Sequence, residues 1–465
     1  MKQIPIETAS LVAISVISFA AAFTSSAVNL AIPAIGAEFG ASTLLLSWVV
    51  SGYVLASAAT LMSFGRLADI AGRKKVYLAG VFAFTITSFM CAMSWSISTL
   101  LASRVLQGTS AAMIFSTQMA ILSSVHPPES RGRAIGLAVA STYVGLSAGP
   151  AVGGLLCDLL GWRSLFFTNA ATGIMVFLFS IRYLKGEWKG SEGERFDFVG
   201  SILYAVGLTA VLFSLSTLGT YGSARYLLAG GLAILVLFVR HELGHRYPLI
   251  RLHLFTRNMA LALSCLAAMI DYAATAAMGF IMSLHLQVVL GYRPQTAGLI
   301  MLAQPIVMAI FSPLAGALSD RIKPYIVASW GMALSCTGLL VFALTLHIAP
   351  VWLIMPTLAC IGLGFAMFSS PNSNAIMGIV EPRFYGIASS SIATMRVIGQ
   401  ALSMATVTLL MSLFVGNVEL RFADPASLVM SSRTAFAVFT VLCAFGTLAS
   451  FARGRVKSDT SQFSR

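Results

Sequence analysis

Fourteen mostly apolar stretches, each close to the length that crosses a bilayer, divide this chain of 465 residues. A spanning helix needs about 20 such residues, roughly 17 to 25 allowing for tilt. The stretches lie near 9–33, 44–64, 76–95, 98–122, 134–156, 165–184, 199–218, 226–240, 259–286, 296–318, 325–347, 351–377, 386–415 and 433–452, the eighth being the shortest. Helices are the expected element, because an isolated strand leaves backbone groups unpaired in hydrocarbon and no barrel-type alternation is visible. With 58% hydrophobic and 10% charged residues, the chain cannot hydrate a soluble surface. The first stretch is long and weakly basic at its start, so it reads as a span rather than a cleaved signal peptide. An all-α integral membrane protein of fourteen spans is expected.

The net charge of +13 does not point to nucleic acid, since the bases sit between apolar stretches and are not interleaved with aromatics. It sets orientation. With the amino terminus in the cytoplasm, 22 of the 29 Lys and Arg fall on the cytoplasmic side, 5 outside (Arg163, Arg225, Arg293, Arg421 and Arg433) and 2 within spans. Both termini are therefore expected inside, with basic clusters at 66–75, 182–195, 240–257 and 453–465 facing anionic lipid headgroups. The six cysteines are scattered and show no Cys/His ligand spacing, so neither a metal nor an organic cofactor is expected.

Residues 185–198 form the most polar internal segment and mark a boundary. An echo supports it: Gly316-Ala-Leu-Ser-Asp320 after the tenth stretch repeats Gly65-Arg-Leu-Ala-Asp69 after the second. The expected organisation is an amino-terminal six-helix half (1–184), a linker with two inserted spans (185–257), a carboxy-terminal six-helix half (258–453) and a cytoplasmic tail (454–465). Repeated halves of this kind place a substrate site at their interface near the midplane.

Local patterns carry their own physics. Gly145, Gly149 and Gly153 share one helix face and let a neighbouring helix approach closely, with Gly154 beside them. Pro150 removes one backbone bond and permits a bend, which suits a hinge or seal between halves. Asp69 can accept hydrogen bonds from a helix amino terminus, whose dipole favours an anion.

The segment 65–75, with Gly65, Asp69, Gly72 and Arg73, resembles the loop between helices 2 and 3 of the major facilitator superfamily of secondary transporters. Arg104-Val-Leu-Gln107-Gly108 looks like that superfamily's intramembrane arginine motif, and the 145–154 glycines with Pro150 are similar to the antiporter motif of drug:proton exporters. Val28-Asn29-Leu-Ala-Ile-Pro33 fits the end of a first-helix motif, and Asp158, Gly161, Trp162, Arg163, Phe166 and Asn169 follow the same exporters. Together these resemble the fourteen-helix drug:proton antiporter family. The resemblance implies a major facilitator fold with two additional inserted helices and a bacterial inner membrane location. It also implies an Asp69 latch onto a helix beginning near Gly386 that holds the outward-facing state. One departure stands out: Thr24 occupies the place where that family usually carries an aspartate, so no coupling role transfers to it.

Ionisable groups in the bilayer are costly and default to functional candidates, here Asp271, Arg104 and Arg396. Asp271 lies about 18 Å in from Met259 at 1.5 Å per residue, near mid-membrane. It reads either as a proton and cation site or as a structural salt-bridge partner of Arg396 or Arg104. His285 is a further candidate near the outer surface. Asn29, Gln107, Gln304, Asn372 and Gln400 are candidate polar anchors of a substrate cavity, among Met and Phe residues that suit bulky amphipathic ligands. No enzyme constellation and no ATP-binding loop is present in the loops, and no non-spanning segment is long enough for a soluble output domain. The expected function is proton-coupled export of amphipathic, cationic drugs or toxic compounds by a monomer. The alternative is a transporter for a specific metabolite such as an amino acid, sugar, siderophore or lipid-like compound.

Overall fold

The computed structural model describes residues 4–41, 43–191, 193–217, 222–250, 258–292, 294–415 and 424–453. The expected tail at 454–465, and Arg293 and Arg421, lie outside the described residues. All regular structure among the described residues is helical. The main helices are α1 (Ile6–Phe39), α2 (Thr43–Ala71), α3 (Arg73–Ala92), α4 (Ile97–Val125), α5 (Pro128–Ala148), α6 (Arg163–Tyr183), α7 (Phe198–Thr217) and α8 (Ala224–Gly244). They continue as α9 (Met259–Thr275), α10 (Ala303–Arg321), α11 (Pro324–Thr345), α12 (Val351–Ile379), α13 (Tyr385–Phe414) and α14 (Pro425–Ala452). Sequence signals place several of the ends. Ser96 and Thr99 form a reciprocal capping box on α4, Asn258 caps α9, and Asp424 caps α14 ahead of Pro425. Gly72, at φ +119°, turns the chain between α2 and α3 in a conformation that favours glycine.

Thirteen described helices are long and apolar enough to cross a membrane. The stretch expected at 134–156 is not among them. It is nonetheless helical, running from α5 through a π-helical turn at Gly149–Gly153 into Gly154–Leu160. Its glycines and serines, and Arg131 and Arg133 in the first turns, dilute the hydropathy that marks the others.

Helix partners recur in a fixed order. In the first group α2 packs on α4, α3 on α4 and α6, and α1 on α5 and α6. In the last group α10 packs on α12, α11 on α12 and α14, and α9 on α13 and α14. The two groups meet where α5 lies along α10 and α13 lies along α2 and α4. Between them in sequence, α7 and α8 pair with each other, and α7 rests on α2 and α13. The Tyr204 hydroxyl donates to the Ala58 carbonyl at 3.1 Å and Phe213 stacks on Trp48 at 5.0 Å, fixing α7 against α2.

Small residues make these crossings possible, since lipid supplies little hydrophobic drive between helices. A Cβ on Gly108 would meet the Tyr53 backbone, one on Gly331 the Gly364 carbonyl, and one on Gly399 the Met269 carbonyl.

Candidate functional site

The most heavily bonded acid lies at one end of the bundle. Asp69, 0% exposed at the end of α2, accepts the backbone N–H groups of Gly386 and Ile387 in the first turn of α13, both at 3.0 Å. Arg73 donates to the same carboxylate through Nε at 3.0 Å and Nη2 at 2.8 Å, to Ser124 of α4 at 2.8 Å, and to the Pro382 carbonyl at 2.6 Å. Gly65 keeps the helices close, because a Cβ there would meet Ser390 and the Gly386 carbonyl, while one on Gly72 would meet Glu187. A buried anion on a helix amino terminus, paired with a buried arginine, is strongly stabilised as a set.

The sequence echo builds a second contact of the same design. Asp320, at the end of α10, accepts the N–H groups of Gly132 at 2.9 Å and Arg133 at 3.0 Å in α5. Asn374 of α12 donates to Asp320 and Ser319, and accepts from Arg131 Nε at 2.9 Å. Gly316 and Gly132 face each other here, and a Cβ on Gly132 would meet the Asp320 carboxylate as one on Gly386 would meet that of Asp69. Both groups of helices are thus tied together at this end.

Deeper in the bundle the interface is aromatic. Tyr272 of α9 and Tyr143 of α5 both set edges against Phe365 of α12, at ring separations of 5.1 and 5.9 Å. The Tyr272 hydroxyl lies 3.3 Å from the Ser369 hydroxyl. Arg396 of α13 is half-buried over the Phe115 ring at 5.0 Å and stands beside Tyr272. Asp271 is 0% exposed, and neither of its carboxylate oxygens has a hydrogen-bond partner among the described residues. No salt bridge to Arg396 or Arg104 forms among the described residues.

Arg104 belongs to a different network. Its Nε donates to the Val49 carbonyl at 2.8 Å, its Nη1 to Gln107 at 2.6 Å, and the guanidinium covers Tyr53 at 4.5 Å. Gln107 and Asn169 both donate to Ser88, which links α4, α6 and α3 inside the first group.

The Major Facilitator Superfamily sequence pattern matches residues 14–254 and 264–464. The chain belongs to that superfamily. Riboflavin transporter RibZ of Clostridioides difficile (strain 630) is 32% identical over 398 residues, covering 85% of this chain and 86% of that one. Multidrug resistance protein Stp of Mycobacterium tuberculosis is 32% identical over 383 residues, covering 81% and 71%. The human organic anion transporter MFSD10 (TETRAN) superposes with a TM-score of 0.66 at 13% identity, over 96% of this chain and 98% of that one, a likeness of fold alone. Membership and relatives point to a multi-pass membrane transporter of small molecules rather than an enzyme.

Within this facilitator fold, the residues singled out from sequence are dispersed. Arg396 meets Phe115 of α4 across the interface between the groups, Asp271 is buried on α9 one residue before Tyr272, and Gln304 and Gln400 are half-buried on α10 and α13. Asn29 is exposed on α1. Asn372 is buried away from the aromatic cluster, donating to the Ser264 carbonyl at 3.2 Å and accepting from Arg453. His285 is buried at the start of a π-helical turn, and neither ring nitrogen has a partner among the described residues.

Gly145, Gly149 and Gly153 do share a face. A Cβ on each would meet Phe19, Ser26 and Ala27 of α1, so they seat α5 within its own group, whereas the approach to α10 uses Gly132 and Gly136. Gly154 faces open space. Pro150 lies in the π-helical turn, where one missing amide is absorbed by the wider backbone. Tyr143, Phe365 and Gly132 carry no site signal in the sequence, because Tyr143 meets Phe365 and Gly132 meets Asp320 across more than 180 residues, while Asn374, a candidate polar anchor from sequence, is instead a partner of Arg131 and Asp320.

Proposed function

We propose that this superfamily member is a proton-coupled secondary transporter exporting amphipathic, cationic drugs or toxic compounds by alternating access. The observation carrying the proposal is Asp271, buried with both carboxylate oxygens unpartnered, one residue from Tyr272 at the interface between the groups. A lone charge in such a place is costly, and either a proton or the cationic group of a substrate answers it. Competition for one carboxylate couples the two fluxes. The Stp name, multidrug resistance protein, favours this substrate class.

Two six-helix halves, 1–184 and 258–453, would rock around this site, with 185–257 as the insert and Pro128–Leu160 as the fourteenth span. The recurrent order of helix partners supports that division. The Asp69 contact, with Gly65, Gly72 and Arg73, is proposed as the latch of the outward-facing state. Arg104 and Arg396 are proposed as coupling partners, Gln304 and Gln400 as cavity anchors. A bacterial plasma membrane with cytoplasmic termini fits the distribution of basic residues. A second reading, a transporter for one metabolite, is favoured by the RibZ name, riboflavin transporter.

Ethidium efflux from proteoliposomes under an imposed pH gradient tests the proposal, comparing the native chain with Asp271→Asn. Gradient-driven movement lost in the variant is the expected result. Equal coupled movement by both chains removes Asp271 from the mechanism. Movement of riboflavin but not ethidium selects the metabolite reading.

A further inference from the structure

The inserted helix pair brings together three side chains of a kind that holds transition metals. Asp197 precedes α7, while His241 and His245 stand four residues apart near the end of α8, on one face of the helix. One donor atom from each lies within 4.8 Å of the others. His241 Nε2 is 3.0 and 3.2 Å from the two Asp197 oxygens, and the two imidazoles stack at 5.0 Å. Asp197 is fixed in place, since its Oδ1 accepts the Gly200 N–H at 2.8 Å.

Glu242 borders the group. It is 4% exposed, its Oε2 accepts the Ile250 N–H at 2.8 Å, and its Oε1 has no hydrogen-bond partner among the described residues. Its carboxylate crowds that of Asp197: a Cβ on Gly200 would meet both Glu242 Oε1 and Asp197 Oδ2. Two carboxylates at this spacing are relieved by a proton on one of them or by a cation beside them.

We propose that Asp197, His241 and His245 bind a divalent transition-metal ion, zinc in the first instance, clamping the end of α8 to the start of α7. Two imidazole nitrogens and one carboxylate oxygen are a donor set suited to zinc, leaving a fourth position for water. Donors around tetrahedral zinc at about 2.1 Å stand about 3.4 Å apart. A rotation of the exposed His245 ring closes the remaining gap. The ion replaces the proton shared between His241 and Asp197 and gives Glu242 a positive neighbour. Spacing in the sequence does not reveal the site because its carboxylate comes from 44 residues before His241.

Zinc titration of the purified full chain, free of any polyhistidine tag, tests this by calorimetry. Substituting cobalt supplies a visible spectrum that reports the ligand geometry. The expected result is about one ion per chain, with cobalt d–d bands of a low-coordinate nitrogen and oxygen site. His245→Ala should weaken binding more than about tenfold. That side chain is exposed, so the variant folds, and equal elution volume and thermal midpoint verify it. His241→Ala should weaken binding as well. No zinc uptake by the native chain, or uptake that His245→Ala leaves unchanged, overturns the proposal.

Discussion

Neutralising Asp69 isolates the energy that holds the two helix groups together at their tied end. In Asp69→Asn an amide oxygen in the place of Oδ1 can still accept the Gly386 N–H and Arg73, but the new NH2 then faces the Ile387 N–H, and the pairing with Arg73 loses its charge. A hydrogen bond to a charged group contributes about 1.5–3 kcal/mol, and losing one between the groups costs about 2 kcal/mol. That corresponds to about a 30-fold shift in the ratio of closed to open forms. The rest of the loss, from the Arg73 pair inside the first group, acts on folding stability instead. Spin labels at Lys75→Cys and Arg383→Cys, both exposed, span the contact in a chain from which the six native cysteines have been removed. Pulsed dipolar spectroscopy should show a longer distance population in the variant that is minor in the parent. Transport should fall at the same time. Coincident distance distributions at equal thermal midpoints would refute the reasoning.

Asp320→Asn should shift the same equilibrium by a smaller amount, about 1 kcal/mol, because no arginine side chain among the described residues shares that carboxylate and Asn374 can re-pair; its effect should add to that of Asp69→Asn in the same distance assay. Gly149→Val should lower the thermal midpoint through about 1–3 kcal/mol of overpacking against Ser26, while Gly154→Ala, facing open space, should leave it unchanged. At the opposite end of α1, hydrogen bonds from Arg163 and then Trp162 hold the Glu38 carboxyl below its ordinary value of 4.5. The stabilisation is therefore complete above that value and lost as pH falls through the folded value. With the pair 34% and 42% exposed it is worth no more than about 1 kcal/mol, so the midpoints of native and Glu38→Gln should differ slightly at neutral pH and converge in acid.

Helix content and most helix positions were legible because hydrocarbon leaves a chain few options and apolar length is a direct signal. Pro128–Leu160 shows the limit: a helix packed by glycine and serine has the geometry of its neighbours without their hydropathy. The Gly65-to-Asp69 pattern and its echo at Gly316-to-Asp320 could be seen. The backbone donors to Asp320 could not, because an amide at Gly132 or Arg133 carries no side-chain signature, and the helix start near Gly386 that donates to Asp69 was expected only from the family resemblance. The aromatic contacts of Tyr143 and Tyr272 with Phe365 were equally hidden, since aromatic residues are common on every face of these helices. Asp271 stood out in one dimension because an acid in an apolar run has few precedents, but its freedom from Arg104 and Arg396 is a three-dimensional fact.

The polar segment after α6 reads as a tether, yet it is a strap cinched under the bundle. Gly190 and Ser191 both donate to the Asp69 carbonyl at 3.0 Å, Arg73 donates its backbone N–H to the Trp188 carbonyl at 2.9 Å, and Arg66 pairs with Glu194. Gly190 also presses on the Arg383 carbonyl, where a Cβ would not fit. The strap is fastened to the end of α2 and merely abuts the start of α13. When the groups part, the tear must run between Gly190 and Arg383, and the strap must travel with the first group. Reporters or inserts placed within it would be read as damage to the seam, not as neutral cargo on a flexible connector.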